Sequence, residues 1–250
     1  MTKRVRAIVL DCDAETCNAG FAGQTHPQVV LNVAESAHMT DWSEMEKIWR
    51  RVFEELKVNP AEHPVLLTEE ITNPRDSREK MTQIMFETFH VPALYIAVQP
   101  VLSLYSSGRT HGLAVELRNR SSHMVPVYNG YAIANKNTEL DCGCDGLSEA
   151  IYKSIMNCGE EVRCCLYENI VLSGGASLAD GFTEKLTKDL VALSGYENVE
   201  VIVSEHRVCG SWIGGSILTA LPPFQGMAIS KEEYSESGPG IVHHKCPQNT

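Results

Sequence analysis

Little in this sequence points to a membrane, a secretory route or a bound metal. No apolar run in its 250 residues approaches the roughly 20 that a membrane-spanning helix needs, and the longest candidate, Val91 to Val98, contains Pro92. Met1-Thr2-Lys3-Arg4 runs straight into a strand-like stretch, so no secretory signal is expected at this end. Low-complexity tracts and short-period repeats are missing as well. Basic residues are scarce beside acidic ones: 21 Lys and Arg against 32 Asp and Glu give a formal net charge of −11. That balance argues against nucleic acid or an anionic membrane as the main partner and is compatible with basic protein partners. Cysteine is plentiful, with Cys12, Cys17, Cys142, Cys144, Cys158, Cys164, Cys165, Cys209 and Cys246. The odd count and irregular spacing read as reduced thiols of a cytosolic or nuclear protein. Cys142-Gly143-Cys144 with Cys158, Cys164 and Cys165 fits no zinc spacing, so no metal is expected.

What is present is an ordinary globular composition, 43% apolar and 21% charged, long enough for one large or two small domains. Val5 to Leu10 reads as a strand ending at Asp11, and Gly20 to Pro27 carries turn residues. Met45, Ile48, Trp49, Val52, Phe53 and Leu56 follow helical spacing, with Ser43 or Asp41 as cap and Pro60 beyond the end. Val65 to Leu67 predicts a buried strand, Ser77 to Phe89 a second amphipathic helix, and Leu94 to Val98 a strand. Pro100 then opens a helix closed by Gly108. The style repeats after Gly108. Strands are expected at 112–117, 124–128, 170–172 and 199–203, and helices at 150–156, 182–193 and 213–221. Such alternation implies a layered α/β fold made of two related halves. Trp42, Trp49 and Trp212 are expected in the core, Glu160-Glu161 and Glu232-Glu233 on a solvated surface, and the tail from His243 to Thr250 loose.

Several stretches closely resemble actin. They are Asn18-Ala-Gly-Phe-Ala-Gly23, Thr40-Asp-Trp-Ser-Glu-Met-Glu-Lys-Ile-Trp49, His63-Pro-Val-Leu-Leu-Thr-Glu69 and Arg78-Glu-Lys-Met-Thr-Gln-Ile-Met-Phe-Glu-Thr-Phe89. Further on come Val101-Leu-Ser-Leu-Tyr-Ser-Ser-Gly-Arg-Thr110, Trp212-Ile-Gly-Gly-Ser-Ile-Leu218 and Gly238-Pro-Gly-Ile-Val-His-His-Lys-Cys246. The resemblance to the actin family implies two ribonuclease-H-like units of the actin/Hsp70-type ATPase fold. Their expected bounds are 1–107 with 213–250, and 108–212. The matching register jumps between Leu31 and Met39 and again between Asp141 and Leu147, which implies that both outer subdomains are missing.

The same resemblance puts a nucleotide site at two hairpins and shows it altered. In the first, Asp11-Cys12-Asp13-Ala14-Glu15-Thr16-Cys17-Asn18 carries Asp13 and Glu15 where the family has glycines, Ala14 for its serine and Asn18 for its lysine. Each new carboxylate would meet phosphate at a cost on the order of 1 kcal/mol, and a β-carbon obstructs the close approach glycine allows. In the second, Glu116-Leu117-Arg118-Asn119-Arg120 has arginine at both glycine positions. Arg118 and Arg120 partly offset the acidic first loop. Asp11 stands at the metal-shell aspartate, Gln99 at the glutamine that orients attacking water, and His123 at the histidine near it. Ser173-Gly174-Gly175 stands at the adenosine turn, where a plain helix-start turn is the other reading, and Val208 replaces a lysine near the base.

By resemblance, the groove between the halves that receives amphipathic helices in actin is lined here by Tyr105, Gly108, Thr110, Gly130, Tyr131, Leu218, Leu221 and Met227. Packing of the interdomain core is the alternative role for these residues, and Pro223 replaces a threonine there. The expectation is a non-enzymatic, cytoplasmic, cytoskeleton-associated scaffold that needs no cofactor and binds ATP and magnesium at most weakly. Its expected partners are cytoskeletal or actin-binding proteins, or actin itself. The alternative is an ATP-binding protein with slow hydrolysis.

Overall fold

Short β-branched runs fold as strands, and the longer amphipathic segments between them fold as helices that cover the strands. The computed structural model describes residues 5–13, 15–33, 41–117, 121–134, 136–141, 146–174, 181–203 and 208–248. The chain divides into two units, Met1–Gln99 with Ser211–Gln248, and Pro100–Gly210. In chain order the described elements open with β1 (Ile8–Cys12), β2 (Thr16–Phe21), β3 (Val29–Asn32), α1 (Trp42–Leu56), β4 (Val65–Glu69), α2 (Arg75–Gln83) and β5 (Ala93–Val98). Then come α3 (Gln99–Ser106), β6 (Gly112–Leu117), β7 (Ser121–Tyr128), β8 (Tyr131–Ala132), β9 (Thr138–Asp141), α4 (Leu147–Met156), α5 (Glu160–Tyr167), β10 (Ile170–Ser173), α6 (Phe182–Ser194) and β11 (Val201–Val203). The chain closes with α7 (Gly210–Ala220), α8 (Phe224–Met227), β12 (Ile229–Ser230), α9 (Lys231–Ser237) and α10 (Val242–Lys245).

The first unit is built on a sheet of order β12-β5-β4-β1-β2-β3. β1, β4 and β5 run parallel, while β2 returns antiparallel beside β1 and β3 antiparallel beside β2. Every residue of β1 and β4 is buried, as parallel strands covered on both faces require. β3 lies at the edge and alternates buried with exposed residues. α1 buries Met45, Trp49, Val52, Phe53 and Leu56 against this sheet's side of the unit. Asp41 is its cap, its side chain accepting from the Ser43 and Glu44 amides. α2 runs into a wider-turn segment, Ile84–Thr88, so the expected stripe of Met81, Ile84, Met85 and Phe89 is buried along one continuous helical path.

The second unit repeats the plan. Its sheet has the order β11-β10-β6-β7-β8, with β9 also on β7; β6, β10 and β11 are parallel and β7 is antiparallel to β6. Leu113, Val115, Ile151, Ile155, Leu166, Ile170 and Leu190 form the centre of its core. α5 goes beyond the expected elements. Glu160 and Glu161 form its first turn, as favours carboxylates, and Val162, Leu166 and Tyr167 are buried behind them.

The tail is ordered through Gln248, which corrects the expectation of a loose end from His243. Val242 and Cys246 are fully buried. Arg78 explains the docking. Its guanidinium is buried, Nε lies 2.9 Å from the buried Glu69 carboxylate, and Nη2 donates to the Cys246 carbonyl at 2.6 Å. Gln248 Nε2 donates to the Ile71 carbonyl at 2.8 Å. Burial pushes the Glu69 carboxyl up, and the Arg78 charge pulls it back.

Arg78→Met removes that compensation. Urea unfolding should show a loss of about 3–5 kcal/mol at neutral pH. Without Arg78, the folded pKa of Glu69 rises further above its unfolded value. The folded state therefore favours neutral Glu69, and the deficit should shrink as pH falls and the carboxyl takes its proton. A deficit independent of pH would mean that Glu69 is not the group left uncompensated.

Candidate nucleotide site

The C-terminal ends of β1, β4 and β5 place three polar groups together in the first unit. Asp11 stands near the end of β1 and is buried. Its Oδ1 accepts from Thr68 Oγ1 on β4 at 2.8 Å and from Nε2 of Gln99, just past β5, at 3.0 Å. Gln99 Nε2 also lies 3.4 Å from Thr68 Oγ1. Thus Asp11 and Gln99, the expected metal-shell and water-orienting positions, are in direct contact. Thr68 is the member that sequence reading passed over; a hydroxyl within the otherwise aliphatic run Val65-Leu66-Leu67 was its signal.

The turn after β1 is organised by Asp13. Its Oδ1 accepts from the Glu15 amide at 2.8 Å and the Thr16 amide at 2.7 Å, and its own amide donates to the Thr16 carbonyl at 2.8 Å. This is an aspartate side chain capping its own turn. Two backbone donors of the hairpin are thereby satisfied by a fixed carboxylate of the chain. Ala14 lies outside the described residues.

β1 and β2 pair in a register that sets Cys12 opposite Cys17, and the two sulfurs form a disulfide. The expectation that every cysteine is a free thiol is corrected here. The reason is the tight hairpin, whose cross-strand register brings both buried side chains face to face. Cys158, Cys164, Cys165, Cys209 and Cys246 are not disulfide-bonded; Cys142 and Cys144 lie outside the described residues. Among the described residues no group of three or more His, Cys, Asp and Glu is placed to hold a metal ion.

In the second unit, β6 and β7 form the second hairpin, and the residues between them, including Arg118 and Arg120, lie outside the described residues. His123 sits opposite Glu116 on β6 and Glu139 on β9, with Nε2 3.9 Å from the Glu139 carboxylate. Ser173 is buried at the end of β10. Gly174 has φ +97°, and a β-carbon there would lie 2.1 Å from the Leu117 carbonyl oxygen. Glycine is therefore demanded by the crossing of two backbones, whether or not a base is recognised. Gly175 lies outside the described residues, and Val208 is exposed.

The expected groove residues divide between the units. Tyr105, Gly108, Thr110, Gly130 and Tyr131 belong to the second, and Leu218, Leu221 and Met227 to the first. Within the second unit, Tyr105 Oη donates to the Gly130 carbonyl at 3.2 Å, and Tyr131 is exposed. Gly108 and Gly130 both adopt positive φ, and a β-carbon on Gly130 would strike the Tyr105 hydroxyl. In the first unit, Leu218 is buried on α7, Leu221 is exposed and Met227 is half-buried.

A mixed sheet with an antiparallel hairpin beside parallel strands, built twice along one chain, is the architecture of a two-unit α/β protein of the actin type. The family model for actin matches residues 30–149 and 141–247, most of the chain. The chain belongs to the actin family. The Asp11–Asn18 hairpin precedes the matched stretches. No helix among the described residues is long and apolar enough to cross a membrane.

Thiol mapping checks the hairpin and the docked tail together. Burial pushes the Cys246 thiol up to about 12, so at pH 8 it should resist iodoacetamide in the folded protein while exposed Cys164 reacts. After unfolding without reductant, Cys246 should become labelled and the Cys12 and Cys17 peptides should emerge linked. Labelling of Cys12 and Cys17 under those conditions would show that the bond does not form.

Proposed function

We propose that this actin-family chain is a non-enzymatic scaffold or cytoskeletal component whose nucleotide site has been given up. The observation that carries this reading is the Asp13 carboxylate on the Glu15 and Thr16 amides. An anion cradle works by leaving backbone N–H groups free to face phosphate. Here a side chain already takes two of them, and its charge repels a second anion by on the order of 1 kcal/mol or more. Glu15 adds another negative charge at the same turn. Asp11 by itself is a weak magnesium site, since that ion is held by carboxylates together with substrate phosphates. Phosphoryl transfer depends on positioned phosphate, metal and water acting as a unit, so Gln99 and His123 are remnants in this account.

In this account the two outer subdomains are also gone. Support comes from the brevity of the joins: nine residues, 33–41, separate β3 from α1, and five, 142–146, separate β9 from α4. Without them, conventional filament growth is not expected; capping, side association or scaffolding on cytoskeletal proteins, actin-binding proteins or actin itself is. Exposed Tyr128 and Tyr131 in the second unit, and exposed Ile217 and Leu221 in the first, supply anchors of the aromatic and aliphatic kind that protein partners use. Location at the cytoskeleton follows from those partners and is proposed with them.

A second reading, slow ATP hydrolysis aided by Arg118 and Arg120, draws on the retained contact between Asp11 and Gln99. Titration with Mg-ATP separates the two. The scaffold reading expects no heat of binding at millimolar ATP. Binding that reaches a hundred times its dissociation constant would add about 2.7 kcal/mol of stability and would replace this reading with the second.

A further inference from the structure

In the second unit, the loop between α6 and β11, residues 195–200, carries Tyr196-Glu197-Asn198, far from any role in the nucleotide chemistry. Both ends of the loop are fixed. Gly195 closes α6, its amide donating to the Val191 carbonyl at 2.9 Å. The Glu200 amide donates to the Tyr167 carbonyl, and the Glu200 carbonyl accepts from the Ile170 amide, each at 3.0 Å. Val199 is buried, whereas Glu197 and Asn198 are exposed. Tyr196 is half-buried. Its ring stacks on that of Tyr167, with centroids 5.6 Å apart, and its hydroxyl donates to the Glu168 carboxylate. That bond keeps the hydroxyl protonated, its pKa pushed up to about 12, and the Asn198 side chain, acting on the same hydroxyl, pulls it back. The tyrosine, its acceptor and the asparagine two residues on are thus gathered at one oxygen. The same tripeptide occurs once more, as Tyr167-Glu168-Asn169, in a setting that withholds it. Tyr167 is 4% exposed, and the Asn169 amide accepts from Arg109 Nε and donates to the Cys165 carbonyl, both at 2.9 Å.

We propose that Tyr196 is a phosphorylation site and that phosphorylated Tyr196-Glu197-Asn198 docks an SH2-type domain, which holds phosphotyrosine with arginine and reads asparagine two residues on. A segment outside helix and strand can be drawn into a kinase cleft, which the buried Tyr167 at the end of α5 cannot. A tyrosine kinase moves the γ-phosphoryl group of ATP to Oη. The new P–O bond forms as the bond to ADP breaks, and the hydroxyl proton passes to the kinase's base. The change removes the donor that Glu168 holds and sets a charge of about −1.5 to −2 beside that carboxylate. Repulsion then drives the side chain off Tyr167 into solvent, which presents the phosphate and frees Asn198 in the same step. The loop ends stay fixed at Gly195 and Glu200, so the rest of the unit need not refold. The proposal stands apart from the loss or retention of ATP binding in the first unit.

The full chain is treated with Mg-ATP and the catalytic domain of a broad-specificity tyrosine kinase and mapped by mass spectrometry. It is then titrated with a recombinant SH2 domain that selects asparagine two residues after phosphotyrosine. Phosphate should appear on Tyr196 and not on Tyr167, with the far-ultraviolet circular dichroism unchanged. The treated chain should bind the domain at least about tenfold more tightly than the untreated one, and treated Asn198→Ala, changed only at an exposed side chain, should lose about tenfold. Tyr196→Phe keeps the ring stack and should abolish the gain, although exposed Tyr128 and Tyr131 remain available to the kinase. A folded chain left unmodified at Tyr196, a phosphorylated chain that binds no better than the untreated one, or binding indifferent to Asn198→Ala or Tyr196→Phe would each overturn the proposal.

Discussion

A carboxylate buried at the end of a parallel sheet must be supplied with donors, and much of the first unit is arranged around that need. Asp11 is held by the Thr68 hydroxyl and the Gln99 amide, so β1, β4 and the segment leaving β5 are tied at one level. Unsatisfied, such a group would cost more than a typical hydrogen bond gains. The tie fixes the point at which β1 turns into β2. Two residues later the chain meets the same problem in a different form, because the hairpin's backbone amides also need partners. Asp13 supplies them from within. One carboxylate is thus held by the fold, and the next holds the fold by taking the Glu15 and Thr16 amides of the turn.

A second buried charge organises the opposite end of the chain. Arg78 on α2 faces Glu69 from β4 and the carbonyl of Cys246 from the tail. Buried ion pairs of this kind contribute little net stability, yet removing one partner is costly. Here the pair specifies where the last residues dock, and the fully buried Val242 and Cys246 add the apolar contact. On the proposed scaffold reading, such packing positions are what a chain needs if it must fold but need not hydrolyse nucleotide.

Much of the architecture was legible in the residues. The aliphatic runs Val65-Leu66-Leu67 and Ile170-Val171-Leu172 became central parallel strands, and the spacing from Met45 to Leu56 became α1 with Asp41 as its cap. α5 was obscured because Glu160-Glu161, taken as surface, also suits the first turn of a helix. The tail was misjudged because its anchor, Arg78, lies 168 residues away in sequence, and no local pattern reports such a contact. The Cys12–Cys17 bond was missed because an odd cysteine count says nothing about cross-strand register. At the site, the resemblance singled out Asp11 and Gln99 one by one, and their contact emerged only in the fold. The capture of the hairpin amides by Asp13 did not follow from it either, since the substitution announces a charge but not where that charge will point. Gly174 turned on a backbone approach to Leu117 that only three-dimensional packing reveals.

The central claim is that this protein's fold stands without nucleotide. Scanning calorimetry of the purified chain, before and after treatment with apyrase and EDTA, tests it most directly. The account predicts the same cooperative transition in both samples, with midpoints agreeing within about half a degree, since 1 kcal/mol moves the midpoint of a chain this size by roughly 2–4 °C. A fall of several degrees on stripping, restored by Mg-ATP, would show that a bound nucleotide holds the structure together and would contradict the account.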